Sequence, residues 1–155
     1  IADVTFEKTV YQKPPTRFEA GTGNIADAVG LGAALDYVSR LGLETIASYE
    51  HALLEYATPR MKAVPGLHMI GTATSKASVL SFVMEGVHPH DLGTIVDREG
   101  VAIRTGHYCA QPVMAHLEIP ATARASFYLY NTHEEVDALV AATNEVVRFF
   151  GRVHV

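Results

Sequence analysis

The sequence predicts an α/β fold whose larger, C-terminal part is an α+β domain, with helices packed on one face of a small, mostly antiparallel sheet. Strand-like and helix-like segments alternate after residue 65, short connections join them, and each long helix carries an apolar stripe. At 155 residues, 48% of them hydrophobic and 19% charged, the chain can bury one core of ordinary size.

The first segment has the alternation of a strand, with Val4, Phe6 and Val10 separated by polar residues. No partner strand is evident nearby, so we expect it to pair with a segment outside this chain. A loop with helix- and strand-breaking residues follows, at Pro14, Pro15, Gly21 and Gly23.

Two helices come next. Asn24 is a good N-cap, which predicts a helix over 25–41 that Gly42 ends. A longer helix is predicted over 43–64, ended by Pro65 and the glycine after it. Their apolar positions are Ile25, Val29, Ala33, Leu35 and Val38 in the first helix and Ile46, Tyr49, Leu53, Ala57 and Met61 in the second.

The remaining elements are shorter. Strands are predicted over 67–70, 78–83, 101–104 and 123–130, and a helix over 88–98 with Leu92, Ile95 and Val96 inward. Thr132 and Glu135 have the spacing of a capping box, so a closing helix begins there. Its buried face is predicted to contain Val136, Leu139, Val140, Val147 and Phe150.

Composition excludes several classes of protein. The net charge of -5, without a lysine–arginine cluster, argues against a nucleic-acid surface. One cysteine cannot form an internal disulfide, no apolar run is long enough to span a bilayer, and no leader is evident. We therefore expect a cytoplasmic protein without a membrane partner. The absence of an initial methionine suggests a fragment.

The only cysteine, Cys109, lies in the motif Arg-Thr-Gly-His-Tyr-Cys-Ala-Gln-Pro at 104–112. A thiol reacts as its thiolate and benefits from nearby positive charge, which Arg104 and His107 could supply. Glycine and proline shape the loop on both sides. The alternative is a buried cysteine that acts as a small hydrophobic residue.

Three segments together resemble a known family. They are the motif at 104–112, Arg-Ala-Ser at 124–126, and Tyr-Asn-Thr-His-Glu-Glu-Val-Asp at 130–137. Upstream, 17–24 reads Arg-Phe-Glu-Ala-Gly-Thr-Gly-Asn and is similar to the same family's segment, with Gly23 in place of a proline. The chain resembles the C-terminal portion of the cysteine desulfurases that use pyridoxal 5'-phosphate and have the class-V aminotransferase fold. The cysteine motif resembles the SufS-like group II branch, which includes selenocysteine lyases.

The resemblance implies roles for individual residues. Cys109 matches the catalytic nucleophile that takes sulfur from L-cysteine as a persulfide and leaves L-alanine. Arg124 matches the residue that binds the substrate carboxylate, and Arg104 and His107 match residues lining the same pocket. Gly21 and Thr22 match the segment that reaches the cofactor phosphate of the partner subunit.

The resemblance also implies what the chain lacks. The family holds its cofactor through a lysine directly after a histidine, and none of Lys8, Lys13, Lys62 and Lys76 follows one. We therefore expect residues 1–42 to be the end of a large cofactor domain and 43–155 to be the small domain with the cysteine loop. A homodimer, a sulfur-acceptor protein, iron–sulfur cluster assembly and a substrate of L-cysteine or L-selenocysteine are implied for the parent enzyme.

Other interpretations stay open at this point. Arg124 could form a surface ion pair, His107 could be a polar loop residue and Thr22 a turn residue. His88 and His90 are better explained by capping than by metal binding. The whole chain could be a cofactor-free sulfur-carrier or interaction module that uses Cys109. A Cys-His hydrolase is weaker, because no residue is evidently placed to orient the histidine.

Overall fold

The computed structural model describes residues 1–151. The chain divides into two compact units, Ile1–Leu43 and a second that begins at Glu44. No helix within the described residues is long and apolar enough to cross a membrane.

The first unit opens with a hairpin rather than a lone strand. Strands β1 (Asp3–Val4) and β2 (Thr9–Val10) pair antiparallel, with Val4 opposite Thr9. The Thr5 hydroxyl oxygen accepts hydrogen bonds from backbone N–H groups inside the turn, which fixes a reversal this short. The expectation of a partner strand outside the chain was therefore wrong, because a local turn supplies the partner.

Helix α1 (Ile25–Leu41) confirms the predicted first helix. The side-chain oxygen of Asn24 accepts the backbone N–H of Asp27 at 3.2 Å, so the asparagine is the N-cap. Gly42, at φ +86°, ends the helix in a conformation that favours glycine. A one-turn 3-10 helix, Thr16–Phe18, precedes α1.

Helix α2 (Leu43–Lys62) begins at the boundary and stops two residues before the predicted end. Four of its five predicted stripe residues are buried: Ile46, Leu53, Ala57 and Met61. Tyr49 is instead 41% exposed, because its hydroxyl reaches out to donate a 2.6 Å hydrogen bond to the carbonyl of Asn131. The stripe of α2 thus packs into the core of the second unit.

The second unit contains the predicted antiparallel sheet. Its strands are β3 (Leu67–Ile70), β4 (Val79–Met84), β5 (Arg104–Gly106) and β6 (Thr122–Ser126). Their order in the sheet is β3-β4-β6-β5, and every neighbouring pair is antiparallel. The fold-class prediction is confirmed.

Strand β4 is shifted by one residue from its predicted bounds, and two other strands differ by more. The apolar residues Val101 and Ile103 predicted β5 too early, because they pack against the core before the strand pairs with β6. Strand β6 ends at Ser126 instead of residue 130, because a turn follows in which Asn131 caps the backbone N–H of Tyr128 at 2.9 Å.

Three helices complete the second unit: α3 (Pro89–Arg98), α4 (Gln111–His116) and α5 (His133–Gly151). The capping box of α5 is confirmed. The Thr132 N–H donates to the Glu135 carboxylate at 3.0 Å, and the Glu135 N–H donates to the Thr132 hydroxyl oxygen at 3.4 Å. Helix α4 was not predicted, because its six residues are too few to show an apolar stripe.

Helix α3 packs against α5 and against strands β5 and β6. Along β4, Leu80, Phe82 and Met84 are buried, and they lie on the face that carries Ala123 and Ala125 of β6. The core of this unit includes Leu53, Ala57, Met61, Leu80, Phe82, Leu92, Val96, Ala123, Ala125, Val136, Leu139 and Val146. Because strand side chains alternate between faces, the intervening residues of β4 and β6 lie on the sheet face away from this core.

Candidate active site

Strands β5 and β6 bring two arginines together on the sheet face away from the core. Arg104 lies directly opposite Arg124 in the antiparallel register, and Arg124 in turn lies opposite Ser81 of β4. Directly opposed residues of neighbouring strands project from the same face. Arg104 and Arg124 are 20 positions apart in the sequence, and the pairing of β5 with β6 makes them neighbours.

Tyr108 lies against both arginines. The centre of the Arg124 guanidinium is 4.6 Å from the centroid of its ring, and that of Arg104 is 5.5 Å away. Its hydroxyl lies 2.8 Å from the carbonyl oxygen of Arg104 and 2.7 Å from that of Thr122, and its single proton is shared between these two acceptors. The tyrosine therefore contacts both strands and both guanidinium groups.

Cys109 follows Tyr108 in a tight turn. Tyr108 and Cys109 have φ values of +54° and +59°, in the left-handed region that side chains other than glycine rarely adopt. The Ala110 N–H donates to the carbonyl of His107 at 2.8 Å and closes the turn, and α4 begins at the next residue. The cysteine is free and exposed, so the interpretation as a buried hydrophobic residue is wrong.

Arg124 is only partly exposed, and its surroundings do not match a surface ion pair. Within residues 1–151 it has no carboxylate partner in ion-pair range, and its buried Nε has no hydrogen-bond partner. A buried guanidinium donor without an acceptor is costly, and an acceptor delivered by a ligand would satisfy it. A carboxylate, which can accept two parallel N–H bonds, is the natural match.

The two histidine predictions have different outcomes. His107 is exposed, and no hydrogen bond to its side chain forms within the described part of the chain, so the structure gives it no partner for orientation. The ring of His88 accepts the backbone N–H of His90 at 3.2 Å and is the N-cap of α3. The capping interpretation of His88 is confirmed.

Gly21 and Thr22 belong to the first unit, whereas the arginines and Cys109 belong to the second. Both residues are exposed, and Gly21 has φ +72° with open space where a Cβ would lie. Within residues 1–151 neither backbone N–H donates a hydrogen bond. Two free amides and a hydroxyl on a glycine turn fit an acceptor such as a phosphate oxygen.

Tyr108 is the residue that sequence reasoning missed. The only signal was an aromatic side chain directly before the cysteine, and nothing in the sequence indicated that two arginines would flank it. That arrangement depends on the β5–β6 register, which pairs residues across an intervening loop and helix.

Comparisons with known proteins identify the family of this chain. The aminotransferase class-V family model matches residues 1–139. A probable cysteine desulfurase of Mycolicibacterium paratuberculosis is 60% identical over 146 residues, which are 94% of this chain and 21% of that protein. A cysteine desulfurase of Synechococcus elongatus is 58% identical, over 94% of this chain and 23% of its own length.

Solved structures are similar as well. The apo cysteine desulfurase of Thermococcus onnurineus matches 96% of this chain and 37% of its own, with a TM-score of 0.80 and 40% identity. An Escherichia coli cysteine desulfurase, described as an S-sulfonic acid form, matches 95% of this chain and 36% of its own, with a TM-score of 0.81 and 35% identity. This chain thus spans about a fifth to a third of its relatives. It belongs to the aminotransferase class-V family.

Proposed function

We propose that this chain is the cysteine-bearing C-terminal part of a pyridoxal-phosphate-dependent cysteine desulfurase of group II. The observation that carries the proposal is the exposed Cys109, placed directly after the tyrosine that contacts the paired Arg104 and Arg124. Relatives named cysteine desulfurase match almost the whole chain and support it. Residues 1–42 are assigned to the cofactor domain and 43–155 to the small domain.

The proposed reaction moves one sulfur atom. The Cys109 thiolate attacks the sulfur of L-cysteine, an S–S bond forms, and the bond between that sulfur and the substrate's β-carbon breaks. The β-carbon keeps the bonding electrons and gains a proton, so the products are L-alanine and a Cys109 persulfide. No oxidant is required, because the substrate carbon is reduced as the two sulfurs are oxidised.

The arginines orient the substrate for that attack. Arg124 binds the substrate carboxylate through its free Nε and an adjacent N–H, a two-point contact that lysine cannot reproduce. Arg104, on the facing strand, adds positive charge on the same side of the sheet. The role of His107 is limited to lining the pocket from its exposed position next to the turn.

The cofactor, when bound, would act as the electron sink for the substrate. In this chain Gly21 and Thr22 would hold part of the phosphate of the cofactor bound by the partner subunit, through the free amides and the hydroxyl described above. No lysine in the sequence follows a histidine, so the covalent anchor is assigned to another part of the parent enzyme.

The parent enzyme is proposed to be a cytoplasmic homodimer that supplies sulfur for iron–sulfur cluster assembly. Because Cys109 is exposed, a thiol of an acceptor protein could reach its persulfide and remove the outer sulfur. L-Selenocysteine is an alternative substrate, since the same carboxylate contact and the same attack on the chalcogen apply to it.

A chimaera tests the proposal. This chain replaces the matching segment of the Thermococcus enzyme, of which it covers 37%, and L-alanine formation from L-cysteine is measured with the cofactor's visible absorbance. We expect both signals, and we expect Cys109→Ser to keep the absorbance and abolish alanine. A chimaera that binds the cofactor but forms no alanine would contradict the proposal.

A sulfur-carrier module is the second candidate, and the exposure of Cys109 in this chain favours it. The isolated chain is incubated with pyridoxal phosphate and L-cysteine, then with a complete desulfurase as sulfur donor. The desulfurase proposal predicts no visible absorbance and no turnover from the chain alone. Accumulation of a Cys109 persulfide from the donor, seen by mass spectrometry, together with an inactive chimaera would favour the carrier.

A further inference from the structure

We propose that Tyr108 is the positioning residue of this site, which holds both arginines and the cysteine turn in one arrangement. The inference rests on the proposed function, in which Arg124 binds the carboxylate and Cys109 attacks. Neither the motif nor the relatives' names assign a role to this tyrosine. Three features of Tyr108 support this role: its hydroxyl, its ring and its backbone conformation.

The hydroxyl fixes the ring relative to the sheet. Its two acceptors are the carbonyl oxygens of Arg104 on β5 and Thr122 on β6, at 2.8 Å and 2.7 Å. Arg104 pairs with Arg124, and Thr122 pairs with Gly106, so the acceptors lie on both sides of the same ladder. Displacement of the hydroxyl from either carbonyl oxygen would lose one of these two contacts.

The ring also offsets repulsion between the arginines. Two guanidinium groups on directly opposed positions repel each other, because like charges across a strand pair are unfavourable. The face of an aromatic ring is negative and attracts cations within about 6 Å of its centroid. With the guanidinium centres at 4.6 Å and 5.5 Å, Tyr108 is placed to hold both.

The backbone links the ring to the nucleophile. Tyr108 and Cys109 both have positive φ, and such residues persist where surrounding contacts enforce them. Tyr108 supplies those contacts through its hydroxyl, whereas the Cys109 side chain is exposed. Tyr108 therefore controls both where the thiol points and where the carboxylate would bind.

The lone cysteine allows a direct test on the isolated chain, without cofactor. Iodoacetate carries a carboxylate and iodoacetamide does not, so the ratio of their alkylation rates at Cys109 measures capture of a carboxylate beside the thiol. The urea-unfolded chain gives the reference ratio. We expect the folded chain to favour iodoacetate relative to that reference, and we expect Arg124→Gln to reduce the preference.

Substitutions of Tyr108 separate the ring from the hydroxyl. Tyr108→Ala and Tyr108→Leu should lower the iodoacetate preference by about two- to fivefold, the value of an exposed cation–π contact. Tyr108→Phe should keep the preference but raise the rate with both reagents, because the turn loosens while the ring remains. Tyr130→Ala, which removes an exposed tyrosine of the same unit, should change neither rate.

The outcomes distinguish the two proposals. If Arg124→Gln leaves the preference unchanged, the carboxylate role and with it the proposed function are contradicted. If Arg124→Gln lowers it while Tyr108→Leu, folded by circular dichroism, leaves it unchanged, the positioning role of Tyr108 is overturned. The leucine variant retains apolar bulk, so the test holds even if Tyr108→Ala does not fold.

Discussion

Gly93 of α3 packs so closely on β5 that adding one methyl group should disturb the strand that carries Arg104. A Cβ at residue 93 would lie 2.7 Å from Cγ2 of Thr105, well inside van der Waals contact. Threonine is β-branched and stiff at χ1, so its methyl group cannot swing away freely. The strand or the helix must move instead.

Two opposing effects determine how much Gly93→Ala changes the free energy of unfolding. Overpacking of this kind costs about 1–3 kcal/mol, whereas replacing glycine by alanine inside a helix gains about 1 kcal/mol. We therefore expect Gly93→Ala to lower the free energy of unfolding by about 0–2 kcal/mol. In a Thr105→Ser background Cγ2 is gone, and the next atoms, Oγ1 and Cβ, lie at 3.5 Å and 3.7 Å, which is ordinary contact.

The assay is a double-mutant cycle. Urea unfolding followed by circular dichroism is measured for the wild type, Gly93→Ala, Thr105→Ser and the double variant. The alanine should become neutral or stabilising by about 1 kcal/mol when residue 105 is serine, with a coupling energy of about 1–3 kcal/mol. Additive effects, within about 0.5 kcal/mol, would refute the close contact. The iodoacetate preference of Cys109 should fall in Gly93→Ala and recover in the Gly93→Ala/Thr105→Ser double variant.

Three further predictions concern the core and the closing helix. Thr132→Ala should lower the free energy of unfolding by about 1 kcal/mol in urea, because the α5 cap is lost, and Thr132→Ser should restore most of it. Phe82→Ala should cost about 3–5 kcal/mol, since this side chain is fully buried, whereas exposed Phe149→Ala should cost far less in the same assay. The pKa of Glu134 is held below its ordinary value, mainly by its own backbone N–H and then by the Thr132 hydroxyl. Because the pKa is lower in the folded state, the ionised carboxylate stabilises the fold at pH values above the unfolded-state pKa. This stabilisation is lost as the pH falls through the folded-state pKa. The urea midpoints of wild type and Glu134→Gln should therefore converge on acidification, and a constant difference would contradict this.

Local signals in the sequence predicted much of the fold. The Asn24 cap and the capping box at Thr132 depend on residues within three positions of each other, and the structure has both. The β5 boundary was wrong for a physical reason: Val101 and Ile103 are apolar because they pack on the core, and burial does not reveal where pairing begins. The partner of the first strand was also misjudged, since two-residue strands leave almost no alternation to read.

The arrangement of the candidate site was harder to predict from the sequence than its individual residues. A motif can identify Cys109, Arg104 and Arg124 one by one, but their relation depends on the register of β5 against β6. A slip of one residue would move Thr105 to the site face and turn Arg104 toward α3. That would bury an unpaired charge at a cost of several kcal/mol.

Two contacts hold this register, and both involve residues that carry no charge. Thr105 packs on Gly93 from the core side of β5, and Tyr108 bonds to both strands beside the arginines. Each contact is specific to one register, because a slip would carry the Thr105 methyl group and the Arg104 carbonyl out of position. If this reasoning holds, Gly93→Ala, Tyr108→Ala and Tyr108→Leu should each weaken carboxylate capture without removing an arginine or the thiol. These three variants should then share one signature: a reduced iodoacetate preference, with Cys109 still reactive toward iodoacetamide.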